Sequence, residues 1–251
     1  MYHFFVEPAQ IGEEMIVIDG PDVRHIRNVL RMKPGEEVLL SDGAGHDHTC
    51  RIEELSEHEV TCRILSREAS GTEPSVQVYL FQGLPKSDKL EHIIQKSVEL
   101  GVHAVIPVAC ARSVARYDEK KLKNKQERWN KIAESAAKQS RRGIIPKVER
   151  VMSFREALDA AKVMDLVLIP YENFKDMDRT RQVLAMVQPG MKIGIFVGPE
   201  GGFEPSEVEL ACADHTAGGA EAEKISLGSR ILRTETAPLM LLSVLIFQME
   251  T

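Results

Sequence analysis

Ile193-Gly194-Ile195-Phe196-Val197-Gly198-Pro199-Glu200-Gly201-Gly202 is the stretch on which the fold turns. A short apolar run, Ile193–Val197, has the length and composition of a buried strand. It ends in a loop of three glycines, one proline and one carboxylate. Phe203-Glu204-Pro205-Ser206 then opens a helix expected over Pro205–Ala213. Strand, loop and helix in that order form the unit of an α/β domain, and in open α/β sheets ligands bind beyond the C-terminal ends of the strands. The glycines permit positive φ and close approach of backbone to a ligand, and Pro199 stiffens the turn. Glu200 offers a carboxylate to ribose hydroxyls or to a basic substrate group. A plain tight connection is the alternative, and a charged residue inside a glycine loop weighs against it.

Two other segments leave a strand with unusual chemistry. Leu166-Val167-Leu168-Ile169 is a buried strand that ends in Pro170-Tyr171-Glu172; alone it reads as an ordinary strand end. Ile225-Ser226-Leu227-Gly228-Ser229-Arg230-Ile231-Leu232-Arg233 alternates apolar with small and basic residues. Such a loop can present amide and carbonyl groups to an adenine edge while Leu227, Ile231 and Leu232 pack on the ring. Further strands are expected at Val76–Phe81 and Ala104–Val108. Helices are expected at Lys86–Leu100, Glu119–Gln139, Phe154–Ala161, Met177–Val187 and Glu235–Met249. Strands alternating with helices argue for a mostly parallel sheet.

The first 70 residues follow a different period. Short alternating runs at His3–Val6, Met15–Ile18, Glu37–Ser41, Thr49–Glu53 and Val60–Leu65 are separated by Gly- and Pro-bearing turns. One short helix fits Asp22–Arg31. Strands at this spacing suggest a small β-barrel over residues 1–70. Arg67–Pro74 is the candidate linker to an α/β domain over 74–251.

The chain has 251 residues, 43% of them hydrophobic, enough for one large domain or two smaller ones. A net charge of −6 argues against a general nucleic-acid binder, but the charge is unevenly spread. Residues 1–70 carry seven Lys/Arg against fourteen Asp/Glu, and residues 112–150 carry thirteen against five. A basic block of that kind fits an RNA contact or a solvated helix face. No apolar segment follows a basic start and no apolar run is long enough to span a bilayer, so a cytoplasmic protein without a membrane partner is expected. The four cysteines, Cys50, Cys62, Cys110 and Cys212, have no C-x-x-C pairing and read as reduced, mostly buried thiols. His46-Asp47-His48 lacks a third ligand nearby, so no metal is expected. The Gly198 loop lacks the Gly-Lys-Ser/Thr ending of a phosphate loop, and no G-x-G-x-x-G follows the strand at 76–81.

Phe196-Val197-Gly198-Pro199-Glu200-Gly201-Gly202, followed by Leu227-Gly228-Ser229-Arg230-Ile231-Leu232-Arg233-Thr234-Glu235-Thr236-Ala237, resembles the two C-terminal motifs of the SPOUT, or trefoil-knot, methyltransferases. Within that superfamily the chain is most similar to the 16S ribosomal RNA uridine-N3 methyltransferases. His25–Arg31, Lys89–Gly101, Arg128-Trp129 and Glu134–Arg142 extend the likeness over nearly the whole chain. Arg141 stands where relatives often have a small residue.

The resemblance implies an N-terminal PUA-like β-barrel that helps hold RNA, a C-terminal trefoil-knotted α/β domain and a homodimer. It implies methylation by S-adenosyl-L-methionine of a uridine near the 3′ end of 16S ribosomal RNA, within the small ribosomal subunit. Carried over by position, the cofactor residues are Leu168, Ile169, Pro170, Gly198, Glu200, Gly201, Gly202, Ile225, Leu227, Gly228, Ile231 and Leu232. Arg233 is the candidate for stabilising an anionic uracil; Glu200 and Glu235 are candidates for orienting the base or taking its proton. RNA contacts are expected from Arg24, Arg27 and Arg31, which share a face in a regular α-helix, and from Lys89, Lys96, Arg128, Gln139 and Arg142. A ribose 2′-O-methyltransferase of the same fold and a ribosome-assembly module without catalysis are the competing readings.

Overall fold

The computed structural model describes residues 1–114, 119–214 and 221–250; residues 115–118 of the basic block lie outside the described residues. The chain forms two compact units, Met1–Glu73 with Ala137–Ile145, and Pro74–Ala136 with Pro146–Thr251.

The first unit is a five-stranded sheet in the order β1-β3-β4-β5-β2. Its strands are β1 (Tyr2–Phe5), β2 (Met15–Asp19), β3 (Glu37–Ser41), β4 (His46–Leu55) and β5 (Glu59–Ala69). β1 runs parallel to β3 and the other pairs are antiparallel. Alternation places Ile16, Ile18, Val38, Leu40, Cys50, Ile52, Val60 and Cys62 in one core with Phe4, Val23 and Ile26. β5 runs through Ala69, so the strand consumes the first part of the expected linker. Pattern gave no sign that residues 137–145 belong here. Glu73 holds them: its carboxylate accepts from Arg142 and from the N–H groups of Gly143 (3.0 Å) and Ile144 (3.4 Å). Ala44 and Ile144 form an antiparallel bridge.

The helix expected over Asp22–Arg31 is not a uniform α-helix. One turn, α1 (Pro21–Arg24), widens into a π-helical turn over His25–Val29, and Arg31 lies beyond it with φ 53°. Arg24, Arg27 and Arg31 are all exposed, but they do not share a regular α-helical face.

The second unit is a seven-stranded parallel sheet in the order β12-β10-β11-β6-β7-β8, with β9 also on β7. Its strands are β6 (Gln77–Gly83), β7 (Ala104–Ala109), β8 (Lys147–Val148), β9 (Met152–Ser153), β10 (Leu166–Pro170), β11 (Lys192–Val197) and β12 (Glu221–Ile225). Its helices are α2 (Lys89–Glu99), α3 (Glu119–Ser140), whose last turn enters the first unit, α4 (Phe154–Ala161), α5 (Met177–Leu184), α6 (Pro205–Asp214) and α7 (Thr236–Met249). β10 and β11 are near-continuous apolar runs because helices cover both faces of a parallel sheet. Phe81 of β6 stacks on Phe196 of β11 at 4.3 Å between ring centres. The Ser153–Glu156 capping box starts α4, and the Asp176 carboxylate caps α5. Trp129 of α3 is 2% exposed, a packing anchor rather than a stacking platform for a base. No helix among the described residues is long and apolar enough to cross a membrane.

Cys50, Cys62 and Cys110 are buried and Cys212 half-buried, all as free thiols. Burial pushes the Cys50 and Cys62 thiols up to about 12, which keeps them from forming thiolate.

Candidate active site

Register decides where the late loops meet. Leu168 of β10 sits beside Ile195 of β11, and Pro170 beside Ile225 of β12. Three adjacent parallel strands therefore end on one edge of the sheet. Their following loops, Tyr171–Lys175, Gly198–Phe203 and Ser226–Glu235, line a cavity of about 520 Å³.

The Gly198 loop is packed against itself and its neighbours. A Cβ on Gly198 would lie 2.9 Å from the carbonyl carbon of Gly202 and 3.1 Å from the nitrogen of Phe203. Only glycine lets the loop close that tightly. Arg112 binds it from outside, donating to Gly201 O at 2.8 Å and to both oxygens of Glu204 at 2.8 and 3.1 Å. Glu207 then accepts from the N–H groups of Ala111 (2.8 Å) and Glu204 (2.9 Å), which fixes the start of α6.

The third loop is tied to the other two by polar side chains that no pattern signals. Gln82, at the C-terminal end of β6, is fully buried. Its Nε2 donates to Thr234 Oγ1 at 3.0 Å and to Gly83 O at 3.1 Å. Thr234 Oγ1 in turn donates to Gly198 O at 2.8 Å. Thr180 of α5 accepts from the Ser226 N–H at 2.9 Å, and the Tyr171 N–H donates to Ile225 O at 3.1 Å.

Pro170, Gly198, Glu200, Gly201, Gly202, Leu227, Gly228, Ile231 and Leu232 line the cavity, as do Arg233 and Glu235. Leu168, Ile169 and Ile225 do not line it: they are at most 1% exposed, in the strands beneath. Ile231 is 85% exposed, at the cavity rim. Composition marked the glycine loops; Gln82, Arg112 and Thr180 carried no local signal, because an isolated polar residue looks the same whether its partner is water or a distant loop.

Lys89, expected at an RNA surface, is a cavity residue. Its Nζ lies 3.1 Å from Glu200 Oε1 and 3.5 Å from Glu235 Oε2. The Glu200 carboxylate also accepts from the Lys86 N–H at 3.1 and 3.2 Å. Burial pushes the Glu200 carboxyl up, but hydrogen bonds from its own backbone, Lys89 and Lys86 outweigh this and hold it below the ordinary range. Glu200 is thus an anchored carboxylate and a weak base. Its hydrogen bond, ahead of the other influences, raises the Lys89 ammonium above its ordinary value.

The other expected RNA residues divide. Arg24, Arg27, Arg31 and Gln139 are exposed. Arg128 is exposed and pairs with Glu91 at 2.7 Å; Lys96 pairs with Glu99 at 2.8 Å. Arg142 is 3% exposed and paired with Glu73, so it is a structural residue and not a phosphate contact.

Comparisons with known proteins identify the family. Residues 72–246 match the family described as an RNA methyltransferase domain, and residues 18–65 match the RNA methyltransferase PUA domain. The ribosomal RNA small subunit methyltransferase E of Bacillus subtilis (strain 168) is 39% identical over 256 residues, covering 100% of this chain and 98% of that protein. A crystal structure of the ribosomal RNA small subunit methyltransferase E of Neisseria gonorrhoeae bound to S-adenosyl methionine superposes with a TM-score of 0.80 at 31% identity, covering 99% and 98% of the two chains. A putative methyltransferase of Legionella pneumophila, in complex with the bound cofactor SAM, gives 0.79 at 30% identity over 98% and 97%. With its late glycine loops gathered at one sheet edge and both of its domains matched, the chain belongs to the ribosomal RNA small subunit methyltransferase E family.

Proposed function

We propose that this protein transfers the methyl group of S-adenosylmethionine to N3 of a uridine near the 3′ end of 16S ribosomal RNA, acting on the small ribosomal subunit. One observation carries the reading: three loops from adjacent parallel strands close on a single cavity bearing both glycine motifs and the Lys89, Glu200, Arg233 and Glu235 charges. The lining fits a sulfonium nucleoside. Tight packing at Gly198 leaves backbone rather than side chain at the wall, and Leu227 and Leu232 offer apolar surface to an adenine ring. Pro170, Gly198, Gly201, Gly202, Leu227, Gly228, Ile231 and Leu232 hold the cofactor; Leu168, Ile169 and Ile225 support them from the sheet. Bound there, the cofactor supplies an electrophilic methyl carbon on a positive sulfur.

The chain's own residues orient the acceptor and manage its charge. Arg233 stabilises the anion that forms when uridine N3 loses its proton. Glu200, fixed by Lys86 and Lys89, and Glu235 orient the base. Arg24, Arg27 and Arg31, exposed in and around the π turn, hold phosphates, and Lys96, Arg128 and Gln139 add contacts. Residues 1–70 act as a PUA-like barrel and 74–251 as the trefoil-knotted domain; the motif pair at 196–202 and 227–237 supports the knot. The protein works in the cytoplasm as a homodimer, and exposed Met240 and Phe247 on α7 supply an apolar face for the second copy.

The test is methylation of small subunits from a strain lacking this protein, with mass spectrometry of the digested RNA. N3-methyluridine is the expected product. A ribose methyl favours 2′-O transfer, and no methyl favours an assembly protein without catalysis; either result overturns the reading.

A further inference from the structure

Lys89 is the one expected RNA-surface cation that the fold brings into the cavity. It opens α2, directly after a turn in which Ser87 has φ 57°. Its ammonium carries three N–H donors and lies between carboxylates from separate elements: Glu200 in the β11–α6 loop at 3.1 Å and Glu235 before α7 at 3.5 Å. The other charged side chains sharing the cavity are Glu172, Lys175, Arg230 and Arg233. Glu235 Oε2 is buried with no hydrogen-bond partner among the described residues, so its ion pair with Lys89 is its main compensation. Two carboxylates restrain this cation, unlike a surface lysine that reaches for phosphate.

We propose that Lys89 is a further catalytic residue of this enzyme, donating an N–H to a carbonyl oxygen of the acceptor uracil and stabilising the charge that develops when N3 ionises. The assignment rests on the uridine-N3 reading above. The N3 proton passes to water, the electron pair left on N3 forms the new N–C bond, and the S–C pair stays on sulfur as a neutral thioether. Negative charge on the ring peaks before the methyl carbon arrives and spreads onto the carbonyl oxygens flanking N3. A preorganised ammonium beside such an oxygen costs no reorganisation at that moment. Glu200 and Glu235 then position Lys89 rather than act as bases.

The experiment compares wild type, Lys89→Met and Lys89→Arg on small subunits, with kcat, KM, cofactor affinity and a pH–rate profile for each. Lys89→Met is expected to lower kcat about 10- to 100-fold, the worth of one charge-assisted hydrogen bond, and Lys89→Arg to recover part of it. The Lys89→Met deficit should narrow as pH rises toward ionisation of free uridine. It should also narrow on subunits whose RNA carries the more acidic 5-fluorouridine. A merely structural lysine would give a deficit independent of pH and of acceptor acidity, with weakened cofactor binding. A phosphate-binding lysine would raise KM and leave kcat unchanged. Either pattern overturns the proposal. Wild type that makes no N3-methyluridine overturns the underlying reading, and this assignment with it.

Discussion

Replacing Gly198 with alanine tests whether the glycine loop is held as tightly as its packing implies. The added Cβ would lie 2.9, 3.0 and 3.1 Å from three backbone atoms of Gly202 and Phe203, where ordinary contact begins near 3.4 Å. None of these atoms can rotate away, so the loop must open by about half an ångström to reach ordinary contact. Overpacking of this kind costs about 1–3 kcal/mol. Because Gly198 and Gly202 line the cavity, much of that cost should appear in binding. S-adenosylmethionine affinity, by calorimetry, should fall about 5- to 150-fold. Whatever part the folded state absorbs should lower the midpoint of thermal unfolding by about 2–4 °C per kcal/mol. Gly71→Ala is the control, since a Cβ there would meet nothing within 4 Å and its φ is ordinary. If Gly198→Ala binds the cofactor within about twofold of wild type and melts at the same temperature, the loop has slack and the packing argument fails.

Gln82→Leu should weaken cofactor binding by about 1–3 kcal/mol, since it removes the bonds to Thr234 and Gly83 while keeping the volume; a double-mutant cycle with Thr234→Val, read by calorimetry, should show coupling. Arg27→Ala and Arg31→Ala should each weaken RNA binding and reduce the salt dependence of log K by about one, measured by filter binding across ionic strengths. Burial, then the charge of Arg67, holds His48 below its ordinary 6.5, and neither ring nitrogen has a hydrogen-bond partner among the described residues. Its neutral form is therefore favoured by folding, so stability should be full above about pH 6.5 and decline as pH falls below it. His48→Leu should flatten that decline in thermal unfolding scans between pH 7 and 5, with little cost at pH 7.

Much of the cavity lining was legible because glycine, proline and a lone carboxylate are rare together at a strand end. β10 and β11 were legible because a strand covered on both faces must be apolar throughout. β12 was not: its sequence, Glu221–Ile225, is charged, and only the register with β10 reveals it as an edge strand. β8 and β9, two residues each, are too short to show a period. The return of residues 137–145 to the first unit depends on Glu73, whose partners lie about 70 positions away, a separation no local pattern spans. The cavity position of Lys89 was hidden for a related reason. A lysine at the start of a helix looks solvated until the loops bearing Glu200 and Glu235 are placed beside it.

The decisive measurement is a crystal structure of this protein with S-adenosylmethionine. The cofactor should lie between the 198–202 and 226–232 loops, with its methyl group turned toward the side holding Lys89 and Arg233. Density for it anywhere else, or a methyl group facing away from those two cations, would rule out methyl transfer at this cavity as described.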